Sequence, residues 1–150
     1  MEKKRRIVPP LWLLATLLAS AALHHWLPLR QLVPAPWSYA GAVLIVLSLL
    51  LGAPALLAFR RARTPVVPFE RSTALVTSGP FRFTRNPMYS GMVLLLLGVA
   101  TLLGSLGAYL PIPLFIAIIQ KNFIEGEERF LTEIFGEQYQ AYRRRVRRWI

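Results

Sequence analysis

The stretch that most constrains this chain is Gly79-Pro80-Phe81-Arg82-Phe83-Thr84-Arg85-Asn86-Pro87-Met88-Tyr89-Ser90-Gly91, which leads into a long apolar segment. Asn86-Pro87 predicts a helix start, because asparagine caps free amides and proline at the first helical position loses no hydrogen bond. The positive end of that helix, with Arg82 and Arg85 beside it, favours an anion such as a carboxylate or phosphate. The alternative role for these two arginines is to bind lipid phosphates.

Four apolar segments surround this stretch in a chain of 150 residues that is 55% hydrophobic, with a mean hydropathy of +0.45. They run over residues 7–27, 37–59, 88–105 and 108–122. Because about 20 helical residues cross a bilayer core, the sequence predicts an all-α membrane protein with about four transmembrane helices. We expect a single integral-membrane domain over residues 1–150. Residues 1–59 form a two-helix part, and residues 60–150 form a cytoplasmic connecting loop, a helical hairpin and a C-terminal amphipathic helix.

The distribution of positive charge predicts the orientation in the membrane. The net charge is +11, and 17 of the 18 lysines and arginines lie before the first segment, between the second and third, or from Lys121 onward. Only Arg30 lies in the remaining connection. Since basic residues stay on the cytoplasmic side, we expect both termini in the cytoplasm of a bacterial cell, with the chain in its inner membrane.

The N-terminus allows a second interpretation. Lys3, Lys4, Arg5 and Arg6, an apolar core and then Ala19-Ser20-Ala21 resemble a cleavable signal peptide. The apolar run continues past that point to Trp26 and Leu27, which favours a membrane span instead.

Composition excludes several kinds of chemistry. The chain has no cysteine, so disulfides, a thiolate nucleophile and cysteine metal ligands are excluded, and we expect no metal site. We expect no nucleic acid partner, because the basic residues lie beside apolar segments without an aromatic platform. The C-terminal basic cluster is expected to bind anionic lipid headgroups; it comprises Arg143, Arg144, Arg145, Arg147 and Arg148, followed by Trp149.

Residues 123–142 have the period of an amphipathic helix at the cytoplasmic surface. The predicted apolar face contains Ile124, Leu131, Ile134, Phe135 and Tyr142, and the opposite face contains Glu125, Arg129, Glu133 and Glu137. Glu127 and Glu128 flank the apolar face, where a carboxylate needs a cation or a donor. Either a ligand meets them, or they form a structural ion pair with Arg82 or Arg85.

Two motifs in this order resemble the integral-membrane methyltransferases related to isoprenylcysteine carboxyl methyltransferase and phospholipid N-methyltransferase. The first is Thr73-Ala74-Leu75-Val76-Thr77-Ser78-Gly79-Pro80-Phe81 followed by Arg85-Asn86-Pro87-Met88-Tyr89-Ser90-Gly91. The second is Glu127-Glu128, Leu131, Phe135-Gly136, Tyr139 and Tyr142. The resemblance covers about residues 64–150.

The resemblance implies S-adenosylmethionine as the methyl donor, bound at the cytoplasmic face, and a lipophilic methyl acceptor. Residues implied in donor binding are Thr73, Ala74, Leu75, Val76, Phe81, Arg85, Asn86, Pro87, Met88, Tyr89 and Glu127. We expect Arg85, Glu127 and Glu128 to be the catalytic residues. The chemistry of the donor agrees, since its carboxylate suits arginine, its ammonium suits glutamate, and its sulfonium suits aromatic faces.

The chain departs from the family pattern at two positions. Prenylcysteine methyltransferases commonly carry histidine where this chain has Asn86. They also place an acceptor-binding arginine four residues before the first glutamate of the pair, where this chain has Phe123 and the nearest cation is Lys121. A prenylcysteine carboxylate is therefore a less secure acceptor than some other lipophilic molecule.

Two other function classes fit parts of the pattern. Membrane sterol reductases are distantly similar in this terminal architecture and bind NADPH instead of S-adenosylmethionine. A non-catalytic membrane scaffold would keep the apolar helices and basic tails but would tolerate alanine at Glu127, Glu128 and Tyr89. The acceptor atom, the oligomeric state and the role of Lys121 stay open.

Overall fold

A computed structural model describes residues 8–65 and 74–150. The helices are α1 (Pro9–Trp26), α2 (Ala40–Arg61), α3 (Pro87–Leu103), α4 (Leu106–Tyr109), α5 (Pro111–Ile119) and α6 (Glu125–Arg145). Short 3-10 helices cover Trp37–Tyr39 and Gly79–Arg82, and a π-helical turn at Gln120–Ile124 joins α5 to α6. In the described part of the chain, β structure is limited to two isolated bridges, so the expected all-α class is confirmed.

Two of the described helical stretches are long and apolar enough to cross a membrane. They are Trp37–Arg61 and Leu106–Arg145, and Pro87–Leu103 is a shorter apolar helix. Leucines and valines on α1 and α2, among them Leu14, Leu18 and Leu50, are more than half exposed, as expected for surfaces that face lipid.

Helices α2 and α3 pack closely through glycine. A Cβ added at Gly98 would lie 2.8 Å from the carbonyl oxygen of Gly41, and one added at Gly41 would overlap the carbonyl of Gly98. The buried core continues from α3 across the Gly104 turn into α5 through Leu96, Ala100, Ile112, Phe115 and Ile119. This packing fixes the start of α3 relative to the end of α5.

The C-terminal helix differs from the predicted surface helix in two ways. It continues directly from α5 through the π-helical turn, and Gly136 interrupts it with φ 48° and ψ −122°. The interruption changes the direction of the side chains that follow it. Ile134, predicted on the apolar face, lies before the break and is 44% exposed, whereas Tyr142, predicted on the same face, is buried beyond it, as is Tyr139.

Candidate functional site

The turn before α3 carries the first site residues. The predicted helix start is confirmed, with Asn86 as the N-cap and Pro87 in the first helical turn. The predicted capping by the Asn86 side chain is wrong, because this side chain makes no hydrogen bond to the helix amides. Its amide nitrogen donates to the carbonyl oxygen of Arg148 at 2.9 Å, so the side chain contacts the segment after α6.

A carboxylate between two guanidinium groups lies beside this turn. Glu128 is 7% exposed, and its Oε1 is 3.1 Å from Nη1 of Arg85. Arg148 donates from Nε to Oε1 at 3.0 Å and from Nη2 to Oε2 at 2.6 Å. Glu128 therefore forms the ion pair with Arg85 that the sequence allowed, together with a second, bidentate pair.

The position of Arg148 corrects the expectation that the whole basic cluster contacts lipid headgroups. Arg148 is committed to Glu128, and the indole nitrogen of Trp149 donates to Oε1 of Gln120 at 3.2 Å, with its ring against the core. The cause is the end of α6 at Arg145: Val146 has an extended backbone, and the chain after it directs Arg148 and Trp149 inward. Arg143, Arg144, Arg145 and Arg147 are exposed, so headgroup binding stays a prediction for them.

Glu127 has surroundings different from those of its neighbour. It has no ion-pair partner among the described residues, and Tyr89 lines the same cavity. It lies beyond the apolar segment that ends at about Asn122. Burial and the charge of Glu128 raise the pKa of Glu127 to about 7, although the hydroxyl of Tyr89 acts in the opposite direction.

Aromatic side chains form one wall of the site. The hydroxyl of Tyr142 donates to the carbonyl oxygen of Phe81 at 2.7 Å, which ties α6 to the 3-10 helix before α3. The rings of Phe81 and Phe59 meet edge to face with centroids 5.3 Å apart. These contacts hold Phe81 in place between two neighbouring cavities, a larger and a smaller one.

The larger cavity has a volume of about 310 Å³, within the range of small-molecule pockets. Its lining is mostly apolar and comes from the start of α1, the end of α2 and the start of α3. The lining residues are Val8, Pro9, Pro10, Phe59, Phe81, Arg85, Asn86, Pro87, Met88, Tyr89, Met92 and Glu127.

The smaller cavity has a volume of about 40 Å³ and lies between the loop before α3 and helix α6. Its lining includes Ala74, Leu75 and Val76 on one side and Glu128, Leu131, Tyr139 and Tyr142 on the other. Five residues line both cavities, namely Phe59, Phe81, Arg85, Asn86 and Glu127. The two cavities therefore share a wall that contains the guanidinium of Arg85 and the carboxylate of Glu127. Of these two groups, only Glu127 has no ion-pair partner among the described residues.

Most of the residues selected from sequence line these two cavities. Thr73 lies outside the described residues. Sequence reasoning missed Phe59 and the Val8-Pro9-Pro10 segment, because nothing local marks the ends of α1 and α2 as neighbours of α3. The motif contained Tyr139 and Tyr142, but no binding role followed for them from the sequence. Their spacing of three, which places both on one helix face, could have indicated a shared role.

The position expected to bind an acceptor carboxylate is apolar here. Phe123 is 4% exposed and belongs to the core, and Lys121 is exposed and lines neither cavity. The position of Lys121 therefore does not support a role for it in place of the acceptor-binding arginine.

The fold and this site define a small helical membrane protein with a buried polar centre beside an apolar cavity. A solved structure of a eukaryotic intramembrane Ras methyltransferase, isoprenylcysteine carboxyl methyltransferase, shares the fold. Its TM-score is 0.64 at 21% identity, and the match covers 97% of this chain and 52% of that one.

The chain belongs to the phospholipid methyltransferase family, whose sequence model matches residues 37–138. It is 37% identical over 75 residues to the protein-S-isoprenylcysteine O-methyltransferase of Schizosaccharomyces pombe, covering 48% of this chain and 30% of that protein. It is 28% identical over 111 residues to a probable protein-S-isoprenylcysteine O-methyltransferase of Oryza sativa subsp. indica, covering 73% and 58%. The chain thus spans little more than half, or less, of these relatives, and the expected membrane methyltransferase family is confirmed.

Proposed function

We propose that this protein transfers a methyl group from S-adenosylmethionine to a lipophilic acceptor at the cytoplasmic face of a membrane. The observation that carries the proposal is the wall shared by the two cavities. It places a guanidinium, a carboxylate and aromatic rings between the smaller cavity and the mostly apolar larger one.

The residues at the shared wall fit the donor in three respects. Nε of Arg85 is buried and has no hydrogen-bond partner, which suits a carboxylate that arrives with the ligand. Glu127 has no ion-pair partner among the described residues, which suits an ammonium. Phe81 and Tyr89 offer aromatic faces to a sulfonium.

Size limits how the donor would fit. The smaller cavity is far below the volume of small-molecule sites, so a donor with an adenosyl group needs more room than it offers. We infer that the amino-acid end of the donor lies at the shared wall. The loop carrying Ala74, Leu75 and Val76 is then the side that gives way, because it is half-buried and lies outside any helix.

The acceptor belongs in the larger cavity. When bound, the donor supplies an electrophilic methyl carbon on a sulfonium; the carbon–sulfur bond breaks, and sulfur keeps its electron pair. The nucleophilic atom of the acceptor supplies the pair for the new bond, and any proton on that atom leaves to solvent. The protein contributes alignment and removal of water, which provide most of the rate in such a displacement.

Binding of the donor is the first test. Purified full-length protein in detergent is expected to bind S-adenosylmethionine saturably, and Glu127→Gln or Arg85→Ala should weaken binding at least tenfold. Glu137→Gln, an exposed glutamate of the same helix, is the matched control. Folded protein that binds no donor at millimolar concentration would refute the proposal, and stabilisation by NADPH instead would favour the reductase.

Identification of the acceptor is the second test. Radiolabelled methyl transfer into total lipid and small-molecule extracts, followed by mass analysis, is expected to yield a labelled apolar product. Label that appears only in water-soluble compounds would contradict a lipophilic acceptor. The Glu127→Gln variant is the control for label incorporated by contaminating enzymes.

A further inference from the structure

The chain beyond α6 returns to the turn that carries the site residues. We call residues 146–150 the C-terminal tail. The amide of Arg85 donates to the carbonyl oxygen of Arg147 at 2.8 Å. The carbonyl oxygen of Arg148 accepts from Oγ1 of Thr84 at 3.1 Å and from Nδ2 of Asn86 at 2.9 Å. Three hydrogen bonds therefore fix the tail backbone against Thr84, Arg85 and Asn86.

This placement delivers the Arg148 side chain to Glu128. The guanidinium meets both carboxylate oxygens, in the bidentate geometry that is strongest for this pair. The Glu128 side chain is 9% exposed and the Arg148 side chain 29% exposed, so the pair lies at the edge of the site. Arg148 lines neither cavity at the shared wall, and it can act there only through Glu128.

The bidentate contact of Arg148 with Glu128 limits the contacts that Arg85 makes with the same carboxylate. Arg85 keeps a single ion-pair contact, from Nη1 to Oε1 at 3.1 Å, and its Nε has no partner. Without Arg148, Glu128 would be free to take Arg85 in a bidentate pair, since guanidinium and carboxylate match in that geometry. That rearrangement would turn the Arg85 donors away from the wall that the two cavities share.

We propose that Arg148 is a positioning residue, which holds Glu128 so that Arg85 stays available to the carboxylate of the methyl donor. This inference rests on the proposed function. It gives one arginine of the basic C-terminal cluster a role inside the site, separate from any contact with lipid.

The test measures donor affinity in purified full-length protein in detergent, with S-adenosylmethionine and S-adenosylhomocysteine in equilibrium dialysis. Arg148→Ala is expected to raise the Kd for both at least tenfold. Arg148→Lys should have an intermediate effect, because lysine keeps the charge without the fork. Arg144→Ala, an exposed arginine of the same cluster, should leave the Kd unchanged.

A second variant separates positioning from a general loss of structure. In the Arg148→Ala background, Glu128→Gln removes the charge that would capture Arg85. The double variant should therefore bind the donor more tightly than Arg148→Ala alone, whereas additive damage predicts weaker binding. Unfolding temperatures of all variants accompany the comparison. If Arg148→Ala does not fold, Arg148→Lys with and without Glu128→Gln provides the same comparison.

The outcomes distinguish this inference from the function on which it rests. Wild-type protein that binds no donor overturns both. Wild-type protein that binds the donor, with an unchanged Kd in Arg148→Ala or no recovery in the double variant, overturns the positioning role alone.

Discussion

Two adjacent glutamates in one helix have opposite surroundings. Glu128 is buried against two guanidinium groups, whereas Glu127, one residue earlier, has a tyrosine hydroxyl and the shared wall of two cavities. Such a pair separates the roles of two identical side chains, because environment sets the charge state of each. Glu128 is paired with two guanidinium groups, and Glu127 has no ion-pair partner among the described residues.

The raised pKa of Glu127 predicts a dependence of stability on pH. A carboxyl whose pKa rises from 4.5 to about 7 on folding binds more protons in the folded state between those values. The free energy of unfolding should therefore decrease as pH rises from about 4.5 to 7, by up to about 3 kcal/mol. Glu127→Gln should remove this dependence, and unfolding of ligand-free protein at pH 5 and 7.5 measures it.

The matched control for this pH dependence is Glu133→Gln, which changes an exposed glutamate of the same helix. It should leave the wild-type difference between pH 5 and 7.5 in place. A Glu127→Gln protein that still loses stability over this range would show that another group titrates.

At the scale of elements, local rules in the sequence predicted the helices well. Apolar runs and Asn86-Pro87 identified the long apolar helices and the start of α3, because these signals act within a few residues. The helical wheel misplaced Ile134, which is 44% exposed, and it assumed a regular helix through Gly136, whose positive φ interrupts the helix. The return of the tail to Asn86 was not predictable, because it depends on contacts between residues about 60 positions apart.

Close packing of α2 on α3 predicts a strong effect of one methyl group. Gly41→Ala places a Cβ against the backbone of Gly98, which cannot move as a side chain does, and should cost about 1–3 kcal/mol of stability. Gly52→Ala in the same helix meets nothing within 4 Å and should stabilise the helix by about 0.5–1 kcal/mol. Thermal unfolding in detergent compares the two, and equal effects would contradict the role of this contact.

The break at Gly136 predicts a second effect on an element. At φ 48° and ψ −122° an alanine is strained even though the space around it is open, so Gly136→Ala should cost about 1–3 kcal/mol. It should also weaken donor binding, because Tyr139 and Tyr142, which follow the break, line the smaller cavity. Gln138→Ala, at an exposed position, is the control. Unfolding and donor affinity unchanged in Gly136→Ala would show that the helix tolerates a straight course there.

For the whole molecule, the arrangement of charge connects the site to one side of the membrane. The start of α1, the end of α2 and the start of α3 line the larger cavity together, and basic residues flank the same ends. Arg30 and the Gly104 turn lie near each other at the opposite ends of these helices, where the amide of Leu106 donates to the carbonyl oxygen of Arg30. The helix ends that line the larger cavity therefore face one side of the membrane, whichever way the chain is oriented.

The proposed orientation, with four spans and both termini in the cytoplasm, has a direct test because the natural chain has no cysteine. Single cysteines introduced one at a time at Leu32, Arg61 and Arg145, all outside the cavity linings, give unambiguous labelling sites. In intact bacterial cells a membrane-impermeant maleimide should label the cysteine at 32 and leave those at 61 and 145 unlabelled until the membrane is opened. The expectation follows from the cost of moving clustered arginines across the bilayer, which keeps them on the cytoplasmic side. The unmodified chain is the control for background. Labelling of 61 or 145 in intact cells would place the donor-binding end outside the cytoplasm, where the proposed methyl transfer would lack its donor.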